Sequence, residues 1–178
     1  MNGARYLAVR GAVIPCKFSG LEFGNNTVSE HHAGLRWQRT SPDFTYESYN
    51  RDHELLFKKG DIAVPASSAP EFLGSAHRVD PEEAFVASLS ACHMLTFLAI
   101  CARKRIVVES YYDDAVGYLE KARDGTLWIS RVVLHPRIRF APGATPDRAT
   151  LYHLHHDSHE HCFVANSVKT EVTVALPE

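Results

Sequence analysis

Residues 80–104 have the sequence DPEEAFVASLSACHMLTFLAICARK, and its features favour one long helix. Asp80 is a good N-cap, Pro81 suits the first helical position, and the two glutamates that follow favour the positive end of the helix dipole. Residues 85–102 contain no Asp, Glu, Lys or Arg, so the helix is apolar all round. In a globular protein such a helix must be covered on every side, which predicts the central helix of the fold.

An apolar run of this length is also compatible with a membrane span. We reject that interpretation because the run contains several polar side chains, Ser88, Ser90, His93 and Thr96, and nothing else in the chain is membrane-like. Arg10 and Pro15 interrupt the apolar stretch at the N-terminus before a signal peptide could form. The sequence therefore predicts a cytosolic protein whose thiols stay reduced.

The size and charge of the chain exclude some classes of function. Its 178 residues are enough for about one domain with its own core. A net charge of -2 gives no electrostatic reason to expect binding to nucleic acid or to an anionic membrane. Four cysteines are too few for a disulfide scaffold, so the widely spaced thiols are catalytic or simply buried. They are Cys16, Cys92, Cys101 and Cys162.

The remaining pattern predicts an α+β fold of antiparallel sheets around the long buried helix. Glycines, Pro15 and the Asn25-Asn26 pair interrupt residues 1–30, which we expect to be an extension of low order outside the domain at 31–178. Strands are predicted at 31–40, 44–57, 107–119, 127–140 and 168–176, with a loop at 65–74 and a turn at 41–43. Asp124-Gly125 is typical of a hairpin turn. A second helix is predicted to open with Thr145-Pro146-Asp147 and to end near Phe163.

Cys92 lies eleven residues into the central helix, about 16 Å from its start, too far for the helix N-terminus to stabilise a thiolate. An inert core cysteine is therefore one interpretation. A reactive Cys92 requires a cation from another part of the fold. Arg51 is the best candidate and Arg78 the second, although an isolated arginine is more often a solvated surface charge.

Cys162 shares one face of the second helix with Leu151, His155 and His159. That face could pack inward and direct Cys162 at Cys92, as a redox pair requires. Alternatively, the two imidazoles and the thiol could bind a transition metal, because histidines at i and i+4 suit zinc geometry. Ordinary packing or a solvated histidine run is the third interpretation.

Two segments resemble the OsmC/Ohr family, the osmotically inducible and organic-hydroperoxide-resistance proteins. The first is DPEEAF at 80–85 followed by ASLSACHM at 87–94, and the second is HCFVANSV at 161–168. The family pattern is Asn-Pro-Glu-Glu, then Ala-Cys about ten residues later, then a second cysteine 65–70 residues further on. The resemblance covers about residues 30–177. The chain departs from the family pattern at three positions, where Asp80 replaces Asn, His93 replaces Phe and Phe163 replaces a common Pro. The Cys-His-Met sequence at 92–94 suggests an OsmC-like subgroup.

The resemblance implies a cysteine-based peroxidase. Cys92 would be the peroxidatic cysteine that attacks the O–O bond, and Cys162 the resolving cysteine that forms a disulfide with it. Glu82 matches the family glutamate, and Arg51 takes the place of the arginine that it holds. Phe85, Leu89 and Phe97 are expected to line a partly apolar pocket for an organic hydroperoxide. A low-molecular or lipoyl-type dithiol would complete the cycle, with no metal or organic cofactor.

The resemblance also implies an intertwined homodimer with its active sites at the subunit interface. Glu82 and Cys92 are about 15 Å apart on one straight helix and cannot touch. Two such helices packed antiparallel across a dyad would bring Glu82 of one chain towards Cys92 of the other. The alternative class of function is a non-enzymatic protein that binds a ligand or a metal through the histidine-rich helix.

Overall fold

The computed structural model describes residues 28–176, so nearly all of the extension predicted at 1–30 lies outside the described residues. The described chain forms two compact units, residues 28–81 and residues 82–176.

The first unit is built on a three-stranded antiparallel sheet. Its strands are β1 (Gly34–Arg36), β2 (His53–Phe57) and β3 (Ile62–Ala66), with β2 in the middle. A tight turn joins β2 to β3, and Lys58, Lys59 and Gly60 all adopt positive φ there. Pro65 is tolerated in β3 because this strand is at the edge of the sheet, where a missing N–H is not costly.

Two predictions for this unit are wrong. The strand predicted at 44–57 exists only in its second half, because the backbone N–H groups of Ser48 and Tyr49 both donate to the Thr45 carbonyl and form a turn. The Ser48 hydroxyl also accepts from the Thr45 amide, so local hydrogen bonds outcompete the extended chain. The loop predicted to begin at Pro65 starts later, since Pro65 and Ala66 complete β3.

The second unit contains both helices and five strands. The central helix α1 spans Pro81–Arg103, and α2 spans Arg148–Glu160, capped by the Asp147 carboxylate, which accepts from the Thr150 amide at 2.7 Å. The helix α2 ends before the predicted Phe163. The strands are β4 (Val108–Asp113), β5 (Val116–Lys121), β6 (Leu127–Leu134), β7 (Pro136–Phe140) and β8 (Glu171–Val174).

These strands form two sheets. One pairs β4 with β7 antiparallel, and the other has the order β5-β6-β8, in which β6 and β8 run parallel. The hairpin turn predicted at Asp124-Gly125 is confirmed between β5 and β6, where Gly125 has φ 90°. The α+β class, with mainly antiparallel sheets and a central helix, is confirmed.

Each long strand predicted at 107–119 and 127–140 is divided into two strands. Asp113 explains both breaks, because its carboxylate accepts from the His135 amide at 2.6 Å and from the Ser90 hydroxyl at 2.5 Å. A carboxylate that binds Ser90 of α1 and the residue between β6 and β7 in this way stops regular pairing on either side of it. These bonds connect the point where the chain passes from one sheet to the other with Ser90 of α1, which lies two residues before Cys92.

The core of this unit is formed by one face of α1 against β6 and β8, with Leu89, Val132, Leu134 and Val174 at its centre. Only five of the 23 residues of α1 are buried, namely Leu89, His93, Phe97, Ile100 and Cys101. The helix is therefore covered on one face, and the expectation of complete cover is not met by residues 28–176. Among the described helices, α1 is also the one long and apolar enough to cross a membrane. Its buried face packs against the sheet, and His93 bonds to α2.

Candidate functional site

Two free thiols meet between α1 and the segment that follows α2. Cys92 is half-buried on α1, and Cys162 lies two residues after the end of α2 with 1% of its surface exposed. Cys92 lies close enough to Cys162 to shift the pKa of its thiol, and the Ala165 amide donates to the Cys162 sulfur at 3.4 Å. Cysteines that are separated by 70 residues in the sequence are thus neighbours in the fold.

The surroundings of Cys162 keep its thiol protonated. Burial, and after it the neighbouring Cys92, raises the pKa of Cys162 to about 11, against a smaller opposite effect of the Ala165 and Val164 amides. Burial likewise raises the pKa of Cys101 to about 11. At neutral pH, Cys162 is therefore a neutral thiol poised beside the sulfur of Cys92.

A pair of buried histidines joins the two helices behind the thiols. His93 Nε2 and His155 Nδ1 are 3.0 Å apart, and the two rings are almost parallel at 7°. Phe97 stacks on His155 with a centroid distance of 4.6 Å. Burial lowers the pKa of His93 to about 3, helped by His155 and His159, and burial lowers the pKa of His155 to about 4. Both rings are neutral at physiological pH.

The pairing of these two histidines was not predicted from the sequence. His93 was noted as a polar residue of the central helix and a departure from the family pattern, and His155 as part of a helix face that could pack inward or bind a metal. A signal was present, because an imidazole inside an otherwise uncharged apolar helix must find a buried partner. His155 was the available residue on the face of the second helix that also carries Cys162.

Glu82 lies in the first turn of α1 and is half-buried. Ten helical residues separate it from Cys92, a rise of about 15 Å. The two side chains therefore do not meet on their own helix, as expected, and the role of Glu82 stays a prediction.

Arg51 and Arg78 both belong to the unit at 28–81. The guanidinium of Arg51 donates to the carbonyls of Tyr46 and Tyr49 and lies 4.1 Å from the centroid of the Tyr49 ring. Arg78, by contrast, forms an ion pair with Asp52 at 3.0 Å. Arg51 is thus held by neutral groups, which leave its charge uncompensated, whereas the charge of Arg78 is already matched.

Arg51 also lines a cleft of about 430 Å³ within its unit. Aromatic rings form much of the wall, and Trp37, Phe44 and Tyr49 pack against one another with centroid distances of 5.5–6.0 Å. The other lining residues are His53, Ser67, Ser68 and Pro81. A cation in an apolar, aromatic cleft can attract an anionic or polarisable group while excluding water.

The histidine-rich helix does not assemble a metal centre. Between residues 28 and 176, no three His, Cys, Asp or Glu side chains are placed to hold a metal ion. One reason is that a ring nitrogen of His155 is already used in the bond to His93. The donor geometry therefore gives the metal alternative no support.

The pocket expected from Phe85, Leu89 and Phe97 is not formed. Leu89 and Phe97 are 0% exposed, so they belong to the core and cannot line an open cleft. The apolar side chains that stay accessible near Cys92 are on the opposite face of α1, where Ala91 precedes the cysteine and Leu95 follows one turn later with 62% of its surface exposed.

Comparisons with known proteins agree with this architecture. The model of the OsmC-like protein family matches residues 74–176, a shorter span than the resemblance at 30–177. An OsmC-like protein of unknown function from Vibrio cholerae is 46% identical, with a TM-score of 0.77, over 83% of this chain and 97% of that chain. No curated protein matches the chain.

More distant structures share the fold. An organic hydroperoxide resistance protein OsmC from Legionella pneumophila is 17% identical, with a TM-score of 0.63, over 85% of this chain and 97% of that one. The organic hydroperoxide resistance protein OhrB of Bacillus subtilis is also 17% identical, with a TM-score of 0.61, over 84% and 98%. Because the family model covers more than half of the chain and the Vibrio cholerae relative is close in sequence, the protein belongs to the OsmC-like family.

Proposed function

We propose that the protein is a thiol-dependent peroxidase that reduces organic hydroperoxides, with Cys92 as the peroxidatic and Cys162 as the resolving cysteine. The observation that carries this proposal is the proximity of two free thiols in one compact unit, close enough for Cys92 to shift the pKa of Cys162. Membership of a family that includes hydroperoxide resistance proteins supports the same chemistry. A cytosolic location and a dithiol reductant are parts of the proposal.

The reaction has two chemical steps before reduction. In the first, the Cys92 thiolate attacks the terminal peroxide oxygen, the O–O bond breaks, and the alkoxide takes a proton and leaves as an alcohol. Cys92 is then a sulfenic acid. In the second, the Cys162 sulfur attacks the Cys92 sulfur, the S–O bond breaks, and the hydroxyl group leaves as water with the thiol proton. An external dithiol reduces the resulting disulfide and is itself oxidised.

The high pKa of Cys162 separates the roles of the two cysteines. A thiol with a pKa of about 11 is almost wholly protonated at pH 7 and reacts slowly with peroxide. It can still act as the resolving group, because its proton leaves with the departing hydroxyl as water. Cys92 is half-buried rather than buried, so a substrate has access to it.

The thiolate needs a cation, and Arg51 is our candidate. Its charge is held against tyrosine rings and backbone carbonyls rather than against a carboxylate. Such an arginine can stabilise an anionic sulfur and the developing charge on the leaving oxygen. Glu82 would orient it across a subunit interface.

A homodimer is part of the proposal. The face of α1 that the chain leaves uncovered is apolar, with exposed side chains at Ala87, Ala91, Leu95 and Ala99. These residues are spaced by four, so they form one stripe along the helix. A stripe of small residues and one leucine suits close packing against the same helix of a second copy.

The proposal is tested by measuring peroxide consumption with dithiothreitol as reductant, beside metal analysis of the purified protein. We expect catalytic turnover of an alkyl hydroperoxide, faster than that of hydrogen peroxide, and none in Cys92→Ser, because a serine hydroxyl is not ionised near neutral pH. Cys101→Ser is the matched control and should retain turnover. Stoichiometric metal without peroxidase activity would instead support the metal-binding alternative.

A further inference from the structure

The buried histidine pair has no part in the reaction steps described above. His93 is 1% exposed and His155 4% exposed, and the bond between them joins α1 to α2. His93 is the residue directly after Cys92, and His155 precedes Cys162 by seven residues, which is about two helical turns. The pair therefore connects the two segments that carry the reacting sulfurs.

Filling the core with this histidine pair costs free energy. One ring nitrogen of each histidine is used in the bond, while His93 Nδ1 and His155 Nε2 have no partner within the described chain. A buried polar atom without a partner is destabilising, and two leucines of similar volume would leave no such atoms. Stability alone therefore does not account for the pair.

The hydrogen bond between the two histidines is directional. Both rings are neutral, so one nitrogen donates and the other accepts, and the bond forms at a single separation and ring orientation. Apolar contacts, such as the stacking of Phe97 on His155, are non-directional and do not fix the position of one helix on the other in this way. A disulfide bond tolerates little sliding, because its Cα atoms must lie within about 7 Å and its Cβ atoms must face each other.

We propose that His93 and His155 are positioning residues for the resolving step, and that their hydrogen bond sets the register of α2 on α1 so that the Cys162 sulfur can attack the Cys92 sulfur. This inference rests on the proposed function, since it assigns the pair a place in that reaction. Neither imidazole is a catalytic residue in this account. Each acts through the helix that it holds.

The two steps of the reaction should respond differently to loss of the bond. Formation of the sulfenic acid needs only Cys92, the peroxide and the cation, so its rate should not change. Closure of the disulfide should slow, and the longer-lived sulfenic acid should be oxidised further by excess peroxide to the sulfinic acid. A general loss of structure would slow both steps together.

The test compares His155→Leu with His155→Asn. The leucine keeps most of the volume and loses the bond, whereas the asparagine amide occupies the place of Nδ1 and can still bond to His93 Nε2. We expect His155→Leu to close the disulfide at least about ten-fold more slowly in stopped-flow and rapid-quench experiments, because small misplacements of reacting atoms have effects of this size. Sulfenic acid formation should be unchanged, and His155→Asn should restore most of the closure rate.

A second measurement uses no peroxide. The effective concentration of Cys92 and Cys162 is obtained from their equilibrium with oxidised and reduced dithiothreitol, for the native chain and for the double variant His93→Leu/His155→Leu. The double variant has no orphaned nitrogen and should fold, yet its effective concentration should fall at least about ten-fold, in line with the loss of orientation. An unchanged value in the double variant would overturn the proposal. If the native chain forms the disulfide here but fails to reduce peroxide, the proposed function fails and the positioning role remains.

Discussion

Arg51 is the residue that we propose as the cation beside the Cys92 thiolate. Its guanidinium is stacked on Tyr49 and bonded to two backbone carbonyls, which are neutral groups, in an aromatic cleft. Arg78, the second candidate, forms an ion pair with Asp52, and both side chains are partly exposed. These environments predict that substituting Arg51 lowers the peroxidase activity far more than substituting Arg78.

Arg51→Ala should lower kcat/KM for an alkyl hydroperoxide by about a hundred- to a thousand-fold, the usual effect of removing one charge-stabilising donor from an active site. Arg78→Ala is the matched control and should change it only a few-fold, because exposed ion pairs contribute about 0–1 kcal/mol. Steady-state kinetics with circular dichroism as a check of folding provide the comparison. A large loss in Arg78→Ala and a small one in Arg51→Ala would show that the arginine is wrongly assigned.

Single residues also show what could be predicted from the sequence. Cys92 and Cys162 were found as candidates because the motifs around them are local, and the start of the second helix was found because turn and helix-start residues at 145–147 are also a local signal. The bond from His93 to His155 joins residues 62 positions apart, and no local pattern encodes such a partner. The chemistry of each imidazole was visible in the sequence, but the pairing was not.

At the scale of elements, α1 and α2 were predictable and the strand ends were not. Caps, helix-forming residues and a long uncharged run are all local signals. The strand breaks near Asp113 and His135 arise because one carboxylate binds a helix residue 23 positions away and His135, which lies between β6 and β7, 22 positions away. The false strand at residues 44–50 has the same kind of cause, since hydroxyl groups made a turn where the aromatic pattern indicated a strand.

The packing of α2 on α1 makes stability depend on pH. The pKa values of His93 and His155 are about 3 and 4 in the folded chain, below the 6.5 of an exposed histidine. Below pH 6.5 the unfolded chain thus binds more protons than the folded chain. The contribution of the two neutral histidines to the free energy of unfolding is therefore complete above pH 6.5 and is lost as the pH falls towards 4. Each imidazole should remove up to about 1.4 kcal/mol of unfolding free energy per pH unit in that window.

Denaturant unfolding of the reduced protein between pH 7.5 and 4.5 tests this dependence. The curve of stability against pH for the native chain should be steeper than that of His93→Leu/His155→Leu, which lacks both titrating groups. His159 stays in both proteins and cancels in the comparison, although burial lowers its pKa as well. Parallel curves for the two proteins would contradict the account of the buried pair.

At the scale of the whole molecule, the uncovered apolar face of α1 predicts a second copy of the chain. Leu95 is at the middle of that face and 62% exposed, one turn from Cys92. A charged side chain there would have to be buried in the dimer without a partner. We expect Leu95→Glu to weaken dimerisation by at least about a hundred-fold, since an unpaired buried charge costs several kcal/mol.

Sedimentation velocity over a range of concentrations measures this effect. Leu127→Glu is the matched control, because Leu127 is 53% exposed beside the hairpin turn between β5 and β6 and should tolerate the charge. A monomeric native protein, or a Leu95→Glu variant that remains as dimeric as the native chain, would contradict the predicted interface.

The central claim is that Cys92 and Cys162 form one redox pair, and peptide mapping after oxidation tests it most directly. The reduced protein is treated with one equivalent of an alkyl hydroperoxide, the remaining thiols are blocked, and the peptides are identified by mass spectrometry. We predict an intramolecular Cys92–Cys162 disulfide with Cys101 blocked as a free thiol. Cys101 lies nine residues further along α1, about 13 Å away, which is too far to bridge. In Cys162→Ser, the same treatment should stop at a Cys92 sulfenic acid that dimedone traps. A disulfide from Cys92 to Cys101 or Cys16, or no disulfide in the native chain, would contradict the account.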